Sequence, residues 1–243
     1  MDTPTEPRLA AAPATQEARQ RWRLTFGRTA AVDGETPAGR DYISAWEAAL
    51  IESRLPVAVT DAGRLRFALG APLPARTAGL AELADIWLTR RLAAWQVREA
   101  IERSLPPGHE LVALEDVWLG APALAGRVAA ADYLVTLGGE APADLDAACA
   151  RLMAADSLVR ERAKAGGVKA YDLRPLLIAV EAADGGGGTR GPVSVRIRTR
   201  IHPELGSGRP EEVIAALGDE LGATLEPVAT IRERVLLTDD LGR

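Results

Sequence analysis

Cysteine is almost missing from this chain: Cys149 is the only one in 243 residues. An intrachain disulfide is therefore impossible, and an iron–sulfur cluster of the usual multi-cysteine kind cannot be held by this chain alone. Histidine is nearly as scarce. His109 and His202 are the only two, and neither has a histidine or cysteine neighbour at zinc-ligand spacing, so no metal and no cofactor is expected. No serine, histidine and acid follow a spacing that suggests nucleophilic catalysis. Lysine occurs only at Lys164 and Lys169. Every other base is arginine, which reads as base-composition bias, although arginine also suits bidentate phosphate contact. Aromatics make up 4% of the chain, so the core must be mostly Leu, Val, Ile and Ala. No apolar run approaches the roughly 20 residues a membrane span needs. The opening "MDTPTEPRLAAAPATQ" has no basic segment followed by an apolar one, so it does not read as a signal peptide. A soluble cytoplasmic protein with no membrane contact is expected. The net charge of −5 argues against bulk attraction to nucleic acid, but leaves room for a local basic face.

What is present has a clear period. Residues 1–19, rich in Ala, Pro, Thr and Glu, read as a disordered tail. "RWRLTFG" (21–27) alternates, with Trp22, Leu24 and Phe26 on one face and Arg23 and Thr25 on the other, as a half-buried strand does. "DYISAWEAALIESR" (41–54) carries a helical stripe of Tyr42, Ile43, Trp46, Ala49 and Leu50 and stops before Pro56. Strands are predicted at 64–69 and 82–89, joined by a long proline-interrupted connection. A helix follows at 92–105 and a strand at 109–119. The order recurs after a connector at 120–131: a strand at 132–137, a helix at 143–155, the strand "LLIAVEA", the alternating "VSVRIRTRI" (193–201), a helix at 210–221 and a last strand at 229–237. Pro210 at the first helical position and acids in the first turn favour that last helix. Each half thus reads β-α-β-β-α-β. The expected fold class is α+β, with two ferredoxin-like halves, 20–119 and 132–238, each an antiparallel sheet with its helices on one face.

Three groups of residues are candidates for function. "GGGTRG" (186–191) matches G-x-G-x-x-G, but Pro192 and an alternating strand follow where a dinucleotide site needs a helix, so it reads as a hairpin loop. "VKAYDLRPLLIAV" (168–180) sets Lys169, Tyr171, Asp172 and Arg174 at the mouth of an apolar strand. They form either a ligand or catalytic site or the anchors of a tight turn. The third group is cationic. Arg160, Arg162 and Lys164 share one side of an extended segment, Arg196, Arg198 and Arg200 the polar side of 193–201, and Arg232 and Arg234 one side of the last strand. If these strands lie in one sheet, its open face is arginine-rich. The base-stacking aromatics usual on RNA-binding sheets are missing from it, so a solvated face or a protein partner competes with RNA as its explanation.

Several stretches resemble a known family, the radical-SAM-linked bacterial domain of unknown function, over roughly 21–238. "DYISAWEAALIESRLP" matches its first helix at Asp41, Trp46, Glu47, Ala49, Leu50, Leu55 and Pro56. "FALGAPLP" and "ELADIWLT" resemble its next strands, "GGVKAYDLRPLL" its most recognisable stretch, and "RPEEVIAALG" the helix after the hairpin. The resemblance implies an accessory or interaction module, itself without a cluster and non-catalytic, that works with a radical-SAM partner protein. RNA binding through the arginine face, and an enzyme centred on Tyr171, Asp172 and Arg174, stand as alternatives. Family members carry Ser-His-Leu-Asp at the first helix start, where this chain reads "AGRD" (38–41) and keeps only Asp41, a candidate partner-site residue. They also carry a Gly-Phe-Asn-Pro-His-Pro loop, where "VTDAGRLR" (59–66) has no histidine.

Overall fold

The computed structural model describes residues 17–30, 40–74, 76–139, 142–164, 167–183 and 193–241, without the side chains of 40, 163, 164 and 169. The expected tail (1–16 of it), the glycine-rich loop 186–191, residues 38–39, and the side chains of Lys164 and Lys169 lie outside the described residues.

Eleven strands and four helices alternate along the described residues: β1 (Gln20–Arg28), α1 (Arg40–Glu52), β2 (Phe67–Leu69), β3 (Thr77–Leu88), α2 (Ala94–Ser104), β4 (His109–Val117), β5 (Val128–Leu137), α3 (Leu145–Ala154), β6 (Val159–Lys164), β7 (Gly167–Asp172), β8 (Leu177–Ala182), β9 (Val193–His202), β10 (Gly206–Ser207), α4 (Pro210–Leu221) and β11 (Pro227–Leu237). The chain is α+β with a mostly antiparallel sheet. The sequence predicts a sheet for each half; the described strands join into one nine-stranded sheet instead. Its order is β9-β5-β11-β3-β1-β4, with β8 and β10 sharing the far side of β9 and β2 lying on β3. The seam is the parallel pair β11–β3, with Thr230, Ile231 and Arg232 opposite Thr77, Ala78 and Gly79. Strand β3 therefore starts at Thr77, inside what reads as a proline-interrupted connection, and β5 starts at Val128, inside the predicted connector.

Two apolar cores flank the seam. In the first, Trp46 and Leu50 of α1 and Val97 and Ile101 of α2 pack on Trp22, Leu24, Phe26, Ala84 and Ile86. In the second, Leu145, Ala148, Cys149 and Leu152 of α3 and Val213, Ile214 and Leu217 of α4 pack on Tyr133, Val135, Val195 and Ile197. Arg232 registers opposite Tyr133 and Glu82 opposite Phe26, and the two charged side chains meet, so both cores occupy the same face of the sheet. Helix α4 ends on Gly222 at φ 61°, the left-handed cap that glycine adopts without a Cβ penalty.

Two expectations need correction. Arg23 does not face water: β1 is buried on both sides, because residues 121–122 cross its second face and take hydrogen bonds from Arg21. The segment around 160 and 170 does not join the main sheet either. Strands β6 and β7 pair only with each other, Arg162 opposite Lys169 and Arg160 opposite Tyr171, and form a separate hairpin that the β-α-β-β-α-β pattern lacks.

Candidate functional site

On the face away from the helices, an aspartate stands between two arginines at two places. In the first half Asp85 accepts from Arg21 Nε at 3.0 Å and Nη2 at 2.5 Å, and from Arg23 Nε at 2.8 Å and Nη2 at 3.0 Å. Arg21 also donates to the carbonyls of Ala121 and Pro122 and lies on the Trp87 ring, 4.8 Å from its centroid. All three side chains are buried. With both guanidiniums forked onto one buried carboxylate and covered by residues 121–122, this cluster closes the fold and is not exposed to a ligand.

The second cluster is open. Asp132 of β5 sits opposite Arg198 of β9 and Arg234 of β11. It accepts from Arg198 Nε at 2.6 Å and Nη2 at 2.9 Å, and from Arg234 Nε at 2.8 Å. Burial alone would raise the Asp132 pKa, but the two guanidiniums outweigh it and hold the carboxyl below its usual range. The Arg198 and Arg234 side chains stay 35% and 56% exposed, so the aspartate fixes their direction without covering them. Arg196 and Arg200 project from the same side of β9. Arg196 is 3.9 Å from Glu233, beyond hydrogen-bond range, and Arg200 has no ion pair among the described residues. Alternate residues on a strand stand about 7 Å apart. A row of three guanidiniums with a fourth beside it therefore lies along β9, and two of them, Arg196 and Arg198, line a depression of about 170 Å³ together with Asp132, Glu181 and Glu233.

The other predicted arginines lie elsewhere. Arg232 and Arg234 do not share a side: the register shifts between them, Arg232 facing Tyr133 and Arg234 facing Asp132. The bulge turns Arg232 inward, where it binds Glu82 and the carbonyls of Ala71 and Pro72. Arg160 and Arg162 face α4. Arg160 meets Asp219 at 2.5 Å, and Arg162 forks onto Glu212 at 2.9 and 2.7 Å while stacking 4.6 Å from the Tyr171 ring.

The motif at 169–174 is wired to backbone. Asp172 Oδ1 accepts from the amides of Leu158 at 2.8 Å and Arg174 at 2.9 Å, and those bonds, the Leu158 one first, lower its pKa. Arg174 donates to the carbonyls of Met153, Ala155 and Leu177. It ties the end of α3 to the start of β8 across the short 3-10 turn Arg174–Leu176, in which Pro175 occupies a position that needs no ladder donor. Tyr171 is pushed up to about 12, by burial first and then by Glu212. Asp41 is exposed in the first turn of α1 and stands apart from the cluster at 169–174 in the fold.

Signals for the remaining polar groups were present but weak. Asp85 and Asp132 interrupt otherwise apolar strands, which a chain tolerates only when a partner is supplied. His109 opens β4, its Nδ1 3.1 Å from the carbonyls of Pro106 and Pro107 and its Nε2 3.1 Å from the Tyr42 hydroxyl. Burial, its largest cause, lowers the pKa of that imidazole. His202 Nδ1 faces the amides of Glu204 and Leu205 in the turn after β9. Among the described residues no group of three His, Cys, Asp or Glu gathers as a metal site, and no helix is long and apolar enough to cross a membrane.

No curated protein matches the chain. Among solved structures it is similar to a chain of a Cbf5–Nop10–Gar1 complex, at 11% identity and a TM-score of 0.44, over 87% of this chain and 49% of that one. It is also similar to a pseudouridylate synthase, at 14% identity and a TM-score of 0.34, over 90% of this chain and 65% of that one. The chain spans about half to two-thirds of the length of those proteins. A family model matches residues 23–212, from β1 through the first turn of α4. The chain belongs to that family, described as uncharacterized protein conserved in bacteria (DUF2344).

Proposed function

We propose that the chain is an accessory binding module whose working surface is the arginine row on the open sheet face of its second half, and that this surface takes the phosphate backbone of RNA. The observation that carries the reading is the Asp132 clamp. A buried carboxylate holds Arg198 in a two-bond fork and Arg234 through its Nε, while Arg196 extends beside them in only a loose 3.9 Å pair with Glu233 and Arg200 has no ion pair among the described residues. Pre-oriented guanidiniums lose little freedom on meeting phosphate, and they match its oxygens in pairs. Recognition would be of backbone rather than of base, since among the described residues the face carries no aromatic for stacking. The test is RNA binding by the full chain and by the variant with Arg196, Arg198 and Arg200 all changed to Ala. Expected is weaker binding with a salt dependence flatter by about two to three charges. Unchanged affinity in the triple variant overturns the reading.

The resemblance at 41–56 and 166–177 supports a second element, a radical-SAM protein as the partner in the bacterial cytoplasm. Co-purification of such a protein with the tagged chain tests it; recovery of the chain without one counts against it. The pairing orders β4-β1-β3-β2 and β8-β9-β5-β11 further support reading residues 20–119 and 132–238 as two ferredoxin-like units, linked by 120–131 and fused along the β3–β11 seam, with the β6–β7 hairpin inserted in the second.

A further inference from the structure

On the helix-bearing side of the sheet, opposite the arginine row, a cavity of about 550 Å³ lies beside the seam. This is within the size of small-molecule sites, and the junction of two packed units is where such sites commonly form. The two halves contribute different chemistry. From the first half, Pro72, Leu73 and Pro74 build an apolar wall, and Ile201 of β9 completes it from the second. The wall is held in place by Arg232, which donates to the Ala71 and Pro72 carbonyls at 2.9 and 3.0 Å while its other edge binds Glu82. All of these donors are taken and the charge is neutralised, so Arg232 positions the wall and leaves recognition to other groups. Tyr133 lies on the floor beside it, 3% exposed.

The rim carries one charge of each sign, held in a loose ion pair. Arg209 and Glu211 flank Pro210 at the start of α4, and both line the cavity. Their nearest atoms are 3.9 Å apart and the side chains are 49% and 54% exposed. That separation is an ion pair but too long for a hydrogen bond, so the donors of Arg209 and the acceptors of Glu211 are not taken up by each other.

We propose that this cavity binds a small zwitterion with an apolar body, a free α-amino acid or dipeptide with a large apolar side chain. Arg209 takes the carboxylate through its fork, helped by the positive end of α4. Glu211 takes the ammonium group. The side chain lies against Pro72, Leu73, Pro74 and Ile201, with the Tyr133 ring beneath it. A simple anion fits less well because Glu211 would repel it, and a purely apolar ligand would leave both charges stripped of water.

The experiment titrates the full chain with L-phenylalanine, N-acetyl-L-phenylalanine and L-phenylalaninamide, following heat of binding and melting temperature. L-phenylalanine is expected to bind and to raise the melting temperature, while each blocked form binds at least about tenfold more weakly, a loss of about 1.4 kcal/mol. Arg209→Ala should abolish the preference for the free carboxylate, and Glu211→Gln the preference for the free amine. Both side chains are half exposed, so both variants should melt like the wild type without ligand; should Arg209→Ala melt lower, Arg209→Gln replaces it. Absence of binding by L-phenylalanine, equal binding of all three compounds, or variants that keep the wild-type preferences would each overturn the proposal. Changing Arg196, Arg198 and Arg200 to Ala should leave amino-acid binding intact, so failure of this site and failure of the RNA face are separable.

Discussion

Arg232 of β11 and Glu82 of β3 face each other across the seam, their side chains 1% and 5% exposed. The ladder there has only three registered pairs, so this ion pair does much to hold the halves together. Removing one partner of a buried pair leaves the other charge unpaired in the core. Arg232→Ala should therefore cost about 3–5 kcal/mol, read from urea unfolding. The double variant Arg232→Met with Glu82→Leu should recover most of that loss. A single-variant cost under about 1 kcal/mol would assign the seam to its backbone ladder and apolar contacts instead.

Asp132 predicts an acid-range effect. Its native pKa lies below the unfolded value near 3.8. The stability it adds is complete above that value and is lost as pH falls through the lower native one. Asp132→Asn should be less stable than wild type at neutral pH, with the gap closing below about pH 4. Parallel stability–pH curves would show that the clamp adds nothing.

Asp172→Ala should lower stability by about 1–3 kcal/mol, because two backbone amides lose their shared acceptor. Urea midpoints measure this. A variant as stable as wild type would mean that water replaces the carboxylate at no cost, and would return the motif to consideration as a site.

Cys149 should be inert in the folded protein. Burial, with a smaller contribution from Asp146, pushes its thiol up to about 11, and the residue is 3% exposed. At pH 8 a disulfide reagent should label it only as fast as the fold opens, and fast labelling of native protein would contradict the burial of α3 against the sheet.

How much was legible from sequence varied with the range of the interaction. The α4 stripe of Val213, Ile214 and Leu217 and the alternation of Val195, Arg196, Ile197 and Arg198 were readable because each follows from local period alone. Asp172 and Arg174 were legible as a cluster, and their bonding to backbone within about twenty residues suits a local turn. The register shift between Arg232 and Arg234 was not legible as a bulge, since a bulge is fixed by the partner strand; the three charges in a row at 232–234, followed by three apolar residues at 235–237, were the only sign that the alternation breaks there.

By itself the sequence determined where the four helices and most strands of the main sheet would fall, which face of each helix would be apolar, and that one cysteine cannot hold a multi-cysteine cluster. Those follow from side-chain type and a period of two or 3.6 residues. Only the tertiary structure decided that the halves share one sheet, that Asp85 and its arginines would be sealed while Asp132 and its arginines stay open, and that Arg209 and Glu211 would stand over a cavity walled by residues 72–74. Each of these depends on which distant segment crosses a given face, and that choice rests on packing between residues a hundred or more positions apart.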